Sequence, residues 1–281
     1  MKMETLFHYT TATGLLGILT GSSIWASDLM FLNDSQEAVY ARDLVFGAIR
    51  DMQNPLPDPE HFTNRLGQGG AEHFAEYQRY VLDGLTTAEF GIFVTCFCES
   101  GDLLSQWRAY GSDHGYAIEI SVDALHSAIK AVPTYAAATG LFKVRYGYET
   151  AETVIETAIA EVASFNGNHP GVKAHYAALA VSSMLAQVKH PGFSEEQEWR
   201  LVMGLEIYDE SSVPRQQPTQ FRATNVAIVP YLTLPLPLES IVSIKVGPGK
   251  NVEVRESGTR RVLKSLGSKA TVTRSEVPLR T

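Results

Sequence analysis

An α+β fold, a single mixed and mainly antiparallel sheet with helical insertions, is what this 281-residue sequence predicts. Three observations point to it. Runs rich in β-branched and aromatic residues gather in the first half of the chain and again from residue 198 onward. Long stretches of helical periodicity lie between them. Strands and helices do not alternate regularly, as parallel βαβ units require. One domain over 1–281 is expected, with mostly helical insertions around 35–90 and 150–190.

Taken in order, "FHYT" at 7–10 reads as a strand that runs directly into an apolar helical pattern. In "DSQEAVYARDLVFGAIRDM", Tyr40, Leu44, Val45, Ile49 and Met52 fall at near-helical spacing, with Asp34 and Glu37 placed as N-cap and N3 of a capping box. "QNPLPDPE" at 53–60 is a proline-rich connector, and 71–89 reads as helix again. "GIFVTCFCE" and "GYAIEISV" read as strands flanking a short helix in "SGDLLSQWRAYG". "FKVRYGY" is a third strand, followed by helical stretches at about 151–164 and 171–189. From 198 the texture is β, in "EWRLVMGL", "QFRATN", "VAIVPYLT" and "SIVSIKVG", with a helix near 252–266 and a last strand "KATVTRS". "VGPGKN" at 246–251 is a strand-to-helix turn without the glycine spacing of a Walker or dinucleotide loop.

Composition narrows the function classes. A 44% apolar content can bury a sizeable core, and a net charge of −8 builds in no attraction to phosphate backbones. A nucleic-acid partner would need a local basic groove; a stripe such as "RESGTRRVLKSLGSK" could serve, although it reads more readily as a solvated helix face. The longest uncharged apolar runs are too short or too interrupted to span a bilayer. No leader pattern opens the chain, so a soluble cytoplasmic protein is expected, without a membrane partner. Cys96 and Cys98 share one face of a strand, with Phe97 on the other. That spacing is poor for a disulfide, and two cysteines without another pair cannot supply a four-ligand zinc site, which leaves reduced thiols, with a redox role as the alternative, and no metal is expected.

Four polar constellations stand out. In a strand, His8 and Thr10 face one way and Tyr9 the other, so the pair either lines a cleft or is a satisfied histidine beside a helix cap. Asn33, Asp34 and Glu37 read as acid cluster or cap. Leu103, Trp107 and Tyr110 fall on one helical face, either core or pocket wall, with Gln106 beside it. In "HPGFSEEQEWRLV", Glu196 and Glu198 run into a strand that would aim both to one side, with Arg200 continuing it. Two like charges on one face raise one proton affinity unless a cation or a ligand's hydroxyls answer them.

The order "HYT", "LND" with a Glu following, "CFCE", "QWRAYG", "EEQEWR" and "VGPG" resembles a widespread bacterial family classed as a domain of unknown function. A more remote resemblance is to the ADP-ribosyltransferase superfamily, in the branch marked by a His-Tyr-Glu set. That resemblance implies a split sheet, NAD as the substrate, and transfer of ADP-ribose to a macromolecular acceptor, protein or nucleic acid, in toxin or phage-defence systems, with an inhibitor protein as a further partner. It assigns the adenosine-side ribose to His8 with Thr10, beside Tyr9. Tyr110 and Trp107 would clamp the nicotinamide, Glu198 would hold the ribose beside the bond that breaks, and Glu196 would align or deprotonate the acceptor. A Ser-Thr-Ser triplet is not evident on the middle strand, which departs from the arginine-modifying branch. The competing readings are a non-enzymatic nucleotide-sensing or protein-interaction module, and a metal-dependent hydrolase in which Asp34, Glu37, Glu196 and Glu198 would have to converge.

Overall fold

Strand alternation assigns the two faces of the first element. β1 (Thr5–Thr10) buries Leu6 on one face and Tyr9 on the other. In the computed structural model, residues 3–32, 40–41, 43–44, 90–110, 114–131, 139–147, 183–206, 219–224 and 227–278 are described. Apart from helical residues at 40–41 and 43–44, the expected elements between 33 and 89, the Asp34–Glu37 cap and the helix at 151–164 lie outside them. Most of both expected insertions lies outside them too.

α1 (Ala12–Gly21) follows β1 at once because Thr11 caps it, its hydroxyl accepting the Gly14 N–H at 3.2 Å. Leu15, Ile18 and Leu19 are its buried stripe, and Ser22 ends it in the left-handed conformation. β2 (Ser23–Asp28) is an element that the sequence reading did not assign; Ile24 and Ala26 point into the core while Trp25 points out. α3 (Val122–Ala131) is a second such element, starting where "GYAIEISV" was expected to finish as strand.

The sheet is organised around β3 (Phe90–Cys98). One edge pairs along its whole length with β8 (Glu198–Glu206), from Phe90↔Glu206 to Cys98↔Glu198. The other edge is shared: β1 meets it at Phe7↔Cys98, and β2 at Ser27↔Val94 and Asp28↔Phe93. From β1 the sheet continues through β4 (Tyr116–Ser121) and β11 (Ile241–Val246) to β12 (Thr271–Arg274). From β2 it continues through β10 (Ile228–Pro235) to β9 (Gln220–Ala223), and β8 also carries β5 (Gly140–Lys143). Only β11 with β12, and the small pair β6 (Arg145–Tyr146) with β7 (Val188–Lys189), run parallel among the described residues. The fold is therefore α+β with a mixed, mostly antiparallel sheet, as the sequence predicts.

Two expected elements are corrected. "FKVRYGY" is not one strand: it breaks at Val144, so that β5 pairs with β8 while β6 leaves to pair with β7. The helix expected to 189 is helical at 183–185 and then turns, because Val188 and Lys189 are both buried in a parallel bridge to β6. The main core lies on the Leu6 face, where Ile24, Phe93, Phe97, Ile118 and Leu125 are each almost fully buried. A smaller cluster on the opposite face joins Tyr9, Cys98 and Ala117 to Trp107 of α2 (Leu104–Tyr110). No described helix is long and apolar enough to cross a membrane.

The turn between β11 and α4 (Val252–Ser265) packs on this second cluster through Gly247. Its N–H donates to Gly115 O at 2.9 Å, and a β-carbon there would lie 2.8 Å from both that oxygen and the Trp107 ring. Gly247→Ala is expected to cost about 1–3 kcal/mol by overpacking. By contrast, Gly17 sits in a helix with nothing near its would-be β-carbon, and Gly17→Ala should stabilise by roughly 0.4–1 kcal/mol. Urea midpoints of the two variants check the contrast.

Candidate functional site

β1 and β3 share one registered pair, Phe7↔Cys98, and then part. Beyond it the Cys96 carbonyl accepts not from a backbone amide of β1 but from the ring of His8, 2.9 Å from Nδ1. At this split lies a cavity of about 40 Å³. Phe7, His8 and Tyr9 border it from β1, Cys96 and Cys98 from β3, Gln106 and Tyr110 from α2, and Glu196 and Glu198 from the entry to β8.

The His8 contact fixes the ring's chemistry. A carbonyl can only accept, so Nδ1 carries the proton and Nε2 keeps its lone pair. Burial lowers the His8 pKa and the Cys96 bond opposes that only in part, so the ring is neutral near pH 7. In the sheet register His8 belongs to the Phe97 face, with ring centroids 5.8 Å apart. Glu198, paired with Cys98, belongs to the opposite face. Both nonetheless border one cavity, because it opens where the two strands separate.

The carboxylates owe their positions to a turn. Pro191 opens a 3-10 helix at Pro191–Glu196, the His190 ring nitrogen accepts the Gly192 N–H at 3.1 Å, and Gln197 reverses the chain at φ 45. β8 starts at the next residue. Glu196 and Glu198 thus converge through this turn rather than by strand alternation, which corrects the sequence expectation. Lys189 Nζ meets Glu196 Oε2 at 2.7 Å and Glu198 Oε2 at 2.9 Å. Arg200 donates from Nε to Glu198 Oε1 at 2.7 Å, from Nη2 to Oε2 at 3.1 Å and from Nη1 to Ala186 O at 3.1 Å. Burial alone would raise the Glu198 pKa. The Arg200 and Lys189 charges outweigh it and bring the value down to about 2.

The other groups are held neutral. Burial pushes the Cys98 thiol up, and the Glu198 and Glu196 carboxylates add to the effect, so Cys98 is no thiolate nucleophile. Burial likewise raises the Tyr110 phenol, although the residue as a whole is 38% exposed. The Tyr9 hydroxyl donates to Ser100 O at 3.0 Å and accepts the Leu103 N–H at 2.8 Å. Its polar tip serves the fold.

Of the residues expected at a site, His8, Tyr9, Tyr110, Glu196 and Glu198 border the cavity, and Thr10 and Trp107 do not. Trp107 is 3% exposed, stands edge-to-face on Tyr9 at 4.7 Å and donates from Nε1 to Asp102 at 2.8 Å. Its indole is core, not a wall for a ligand. Thr10 stands beside Gly14 in the first turn of α1, where the cap itself comes from Thr11. Asp34 and Glu37 lie outside the described residues, and no group of three or more His, Cys, Asp or Glu among those described is arranged to hold a metal ion. Sequence reasoning missed Lys189 and gave Gln106 no role. Lys189 was hidden by the expected helix; Gln106 had a signal, its place beside the aromatic face of α2.

Residues 106–201 match the model of a family described as "Protein of unknown function (DUF2971)". That stretch resembles an uncharacterised domain family. It begins at Gln106, and it includes Tyr110, Glu196, Glu198 and Arg200. No curated protein and no solved structure matches the chain.

Removing one member of a buried ion network leaves the others uncompensated. Glu198→Gln is therefore expected to cost about 3–5 kcal/mol, read from urea unfolding; a change under about 1 kcal/mol would show that Lys189 and Arg200 do not depend on it. Because the folded pKa of Glu198 lies below its unfolded value of 4.5, the unfolded chain binds more protons there. Its contribution is full above pH 4.5 and is lost as pH falls from 4.5 towards about 2. Acid titration should show wild type losing more stability over that range than Glu198→Gln, which keeps the other depressed carboxylates such as Asp102.

Proposed function

We propose that this chain is an NAD-dependent enzyme of ADP-ribosyltransferase type. It would cleave the nicotinamide N-glycosidic bond and pass ADP-ribose to a macromolecular acceptor, protein or nucleic acid, in a toxin or phage-defence setting. One observation carries the reading: His8, Tyr110 and Glu198, far apart in sequence, border a single cavity at the split in the sheet. Breaking that bond builds positive charge on the ribose, as in glycoside hydrolysis, and a carboxylate already ionised and fixed in place opposes it without reorganising. Glu198 is such a carboxylate. His8 Nε2 is a neutral acceptor for a hydroxyl, and the half-open Tyr110 ring offers a face for stacking at the rim. Glu196, less deeply buried, is the group left to orient an acceptor. The cavity has room for only about three water-sized atoms, so the body of the nucleotide would lie outside it.

A second reading, a non-enzymatic nucleotide-sensing or protein-interaction module, draws on the ion network itself. Both Glu198 oxygens already accept from charged donors, so a ribose hydroxyl would have to share or displace one of them. Nicotinamide release from NAD separates the two. The enzyme reading expects release by wild type, reduced roughly 10-fold or more in His8→Ala and Tyr110→Ala variants shown to be folded by circular dichroism, a loss equal to ~1.4 kcal/mol of barrier. Calorimetric NAD binding without release against protein or nucleic-acid acceptors would support nucleotide sensing, and absence of both would overturn the enzyme and the nucleotide-sensing readings and leave the protein-interaction module.

A further inference from the structure

Most polar tips around the split are visibly spoken for. Tyr9, Trp107 and Asp102 bond to one another's segments, and Thr95 donates to Trp25 O at 2.9 Å. Gln106 differs. It is 4% exposed, it borders the cavity, and its carboxamide makes no hydrogen bond to any other described residue. The amide lines the cavity, where its donor and acceptor remain for whatever enters.

We propose that Gln106 is the selectivity residue of this cavity, pairing edge to edge with the planar carboxamide of a neutral ligand and rejecting the matching carboxylate. The reading of the site as an NAD site enters only in naming nicotinamide as that ligand. A glutamine amide presents a donor and an acceptor in one plane, which is the complement of another amide and not of a carboxylate, which only accepts. The rest of the lining reinforces the choice. His8, its Nδ1–H committed to Cys96 O, keeps only a lone pair on Nε2 and so offers a carboxylate no proton to bind. Lys189 and Arg200 are already committed to Glu196 and Glu198, so neither cation is spare to draw in a ligand carboxylate. Size agrees as well: ~10–15 Å³ per water centre gives a 40 Å³ cavity room for three such atoms, the heavy-atom count of a carboxamide head.

The test measures nicotinamide and nicotinate binding to the whole chain by ligand-observed NMR, for wild type, Gln106→Met and Gln106→Glu, with NAD and ADP-ribose titrated in parallel by calorimetry. Wild type should favour nicotinamide over nicotinate at least 10-fold. Gln106→Met should lose that preference through weaker nicotinamide binding, with ADP-ribose affinity unchanged and a urea midpoint no lower than wild type, since it breaks no bond within the fold. A residue serving only the fold would lower the midpoint instead. Nicotinamide binding that is absent in wild type, or equal in wild type and Gln106→Met, overturns the proposal. NAD binding that ignores Gln106 overturns it while leaving the NAD reading standing. Nicotinamide binding that depends on Gln106, with no NAD binding, does the reverse.

Discussion

The buried ion network of Glu198, Arg200, Lys189 and Glu196 is the constraint around which the lower half of the sheet is arranged. Arg200 is 1% exposed and Glu198 3% exposed, and burying such charges costs several kcal/mol per ion unless geometry and hydrogen bonds answer it. Here they do. Arg200 holds Glu198 with two nitrogens and spends a third on Ala186 O, while Lys189 bridges both carboxylates. The network joins β7, the turn after it and the start of β8, and the Glu198 N–H adds a bond to the Tyr146 hydroxyl of β6 at 2.9 Å. The small parallel bridge of β6 and β7, which pairs Tyr146 with Lys189, holds Lys189 at this point.

Asp102 does for the opposite wing what the ion network does for β8. Burial would raise its pKa, but bonds from Ser275, the Glu276 N–H and Trp107, with Lys245 nearby, hold it below the usual carboxylate range. Through it the segment after β12 is tied to the start of α2, the helix that carries Gln106 and Tyr110. The side of the cavity made by α2 is thereby fixed from the C-terminal end of the chain. The stripe on α4 is in part spent in the same manner: Arg260 and, from β12, Arg274 pair with Glu256, which leaves less of its charge for a nucleic acid.

Most strands were legible because their residues alternate or form short β-branched runs between turn signals, as in "GIFVTCFCE" and "SIVSIKVG". β2 was not, because Trp25 is an outward aromatic between buried Ile24 and Ala26, and the flanking Ser23, Ser27 and Asp28 are polar, which breaks the apolar count. α3 was overlooked because Val122 continues the texture of the strand before it. The meeting of Glu196 with Glu198 was expected, but for a reason that the backbone does not use: a left-handed Gln197 leaves no mark in composition. His8, Tyr110 and Glu198 could be singled out by residue type and order. That they share a cavity depends on where β1 leaves β3, and this is a property of pairing across more than 80 residues, which no local pattern encodes.

The His8 imidazole has a further consequence where it takes the place of a ladder bond. When two strands part, the carbonyls and amides along the opening become a template on which a foreign strand can add, the usual route to edge-to-edge aggregation. At Cys96 that template is already occupied, since a side chain has closed the carbonyl. The protein can keep a fissure in the middle of its sheet without offering its neighbours a strand edge there.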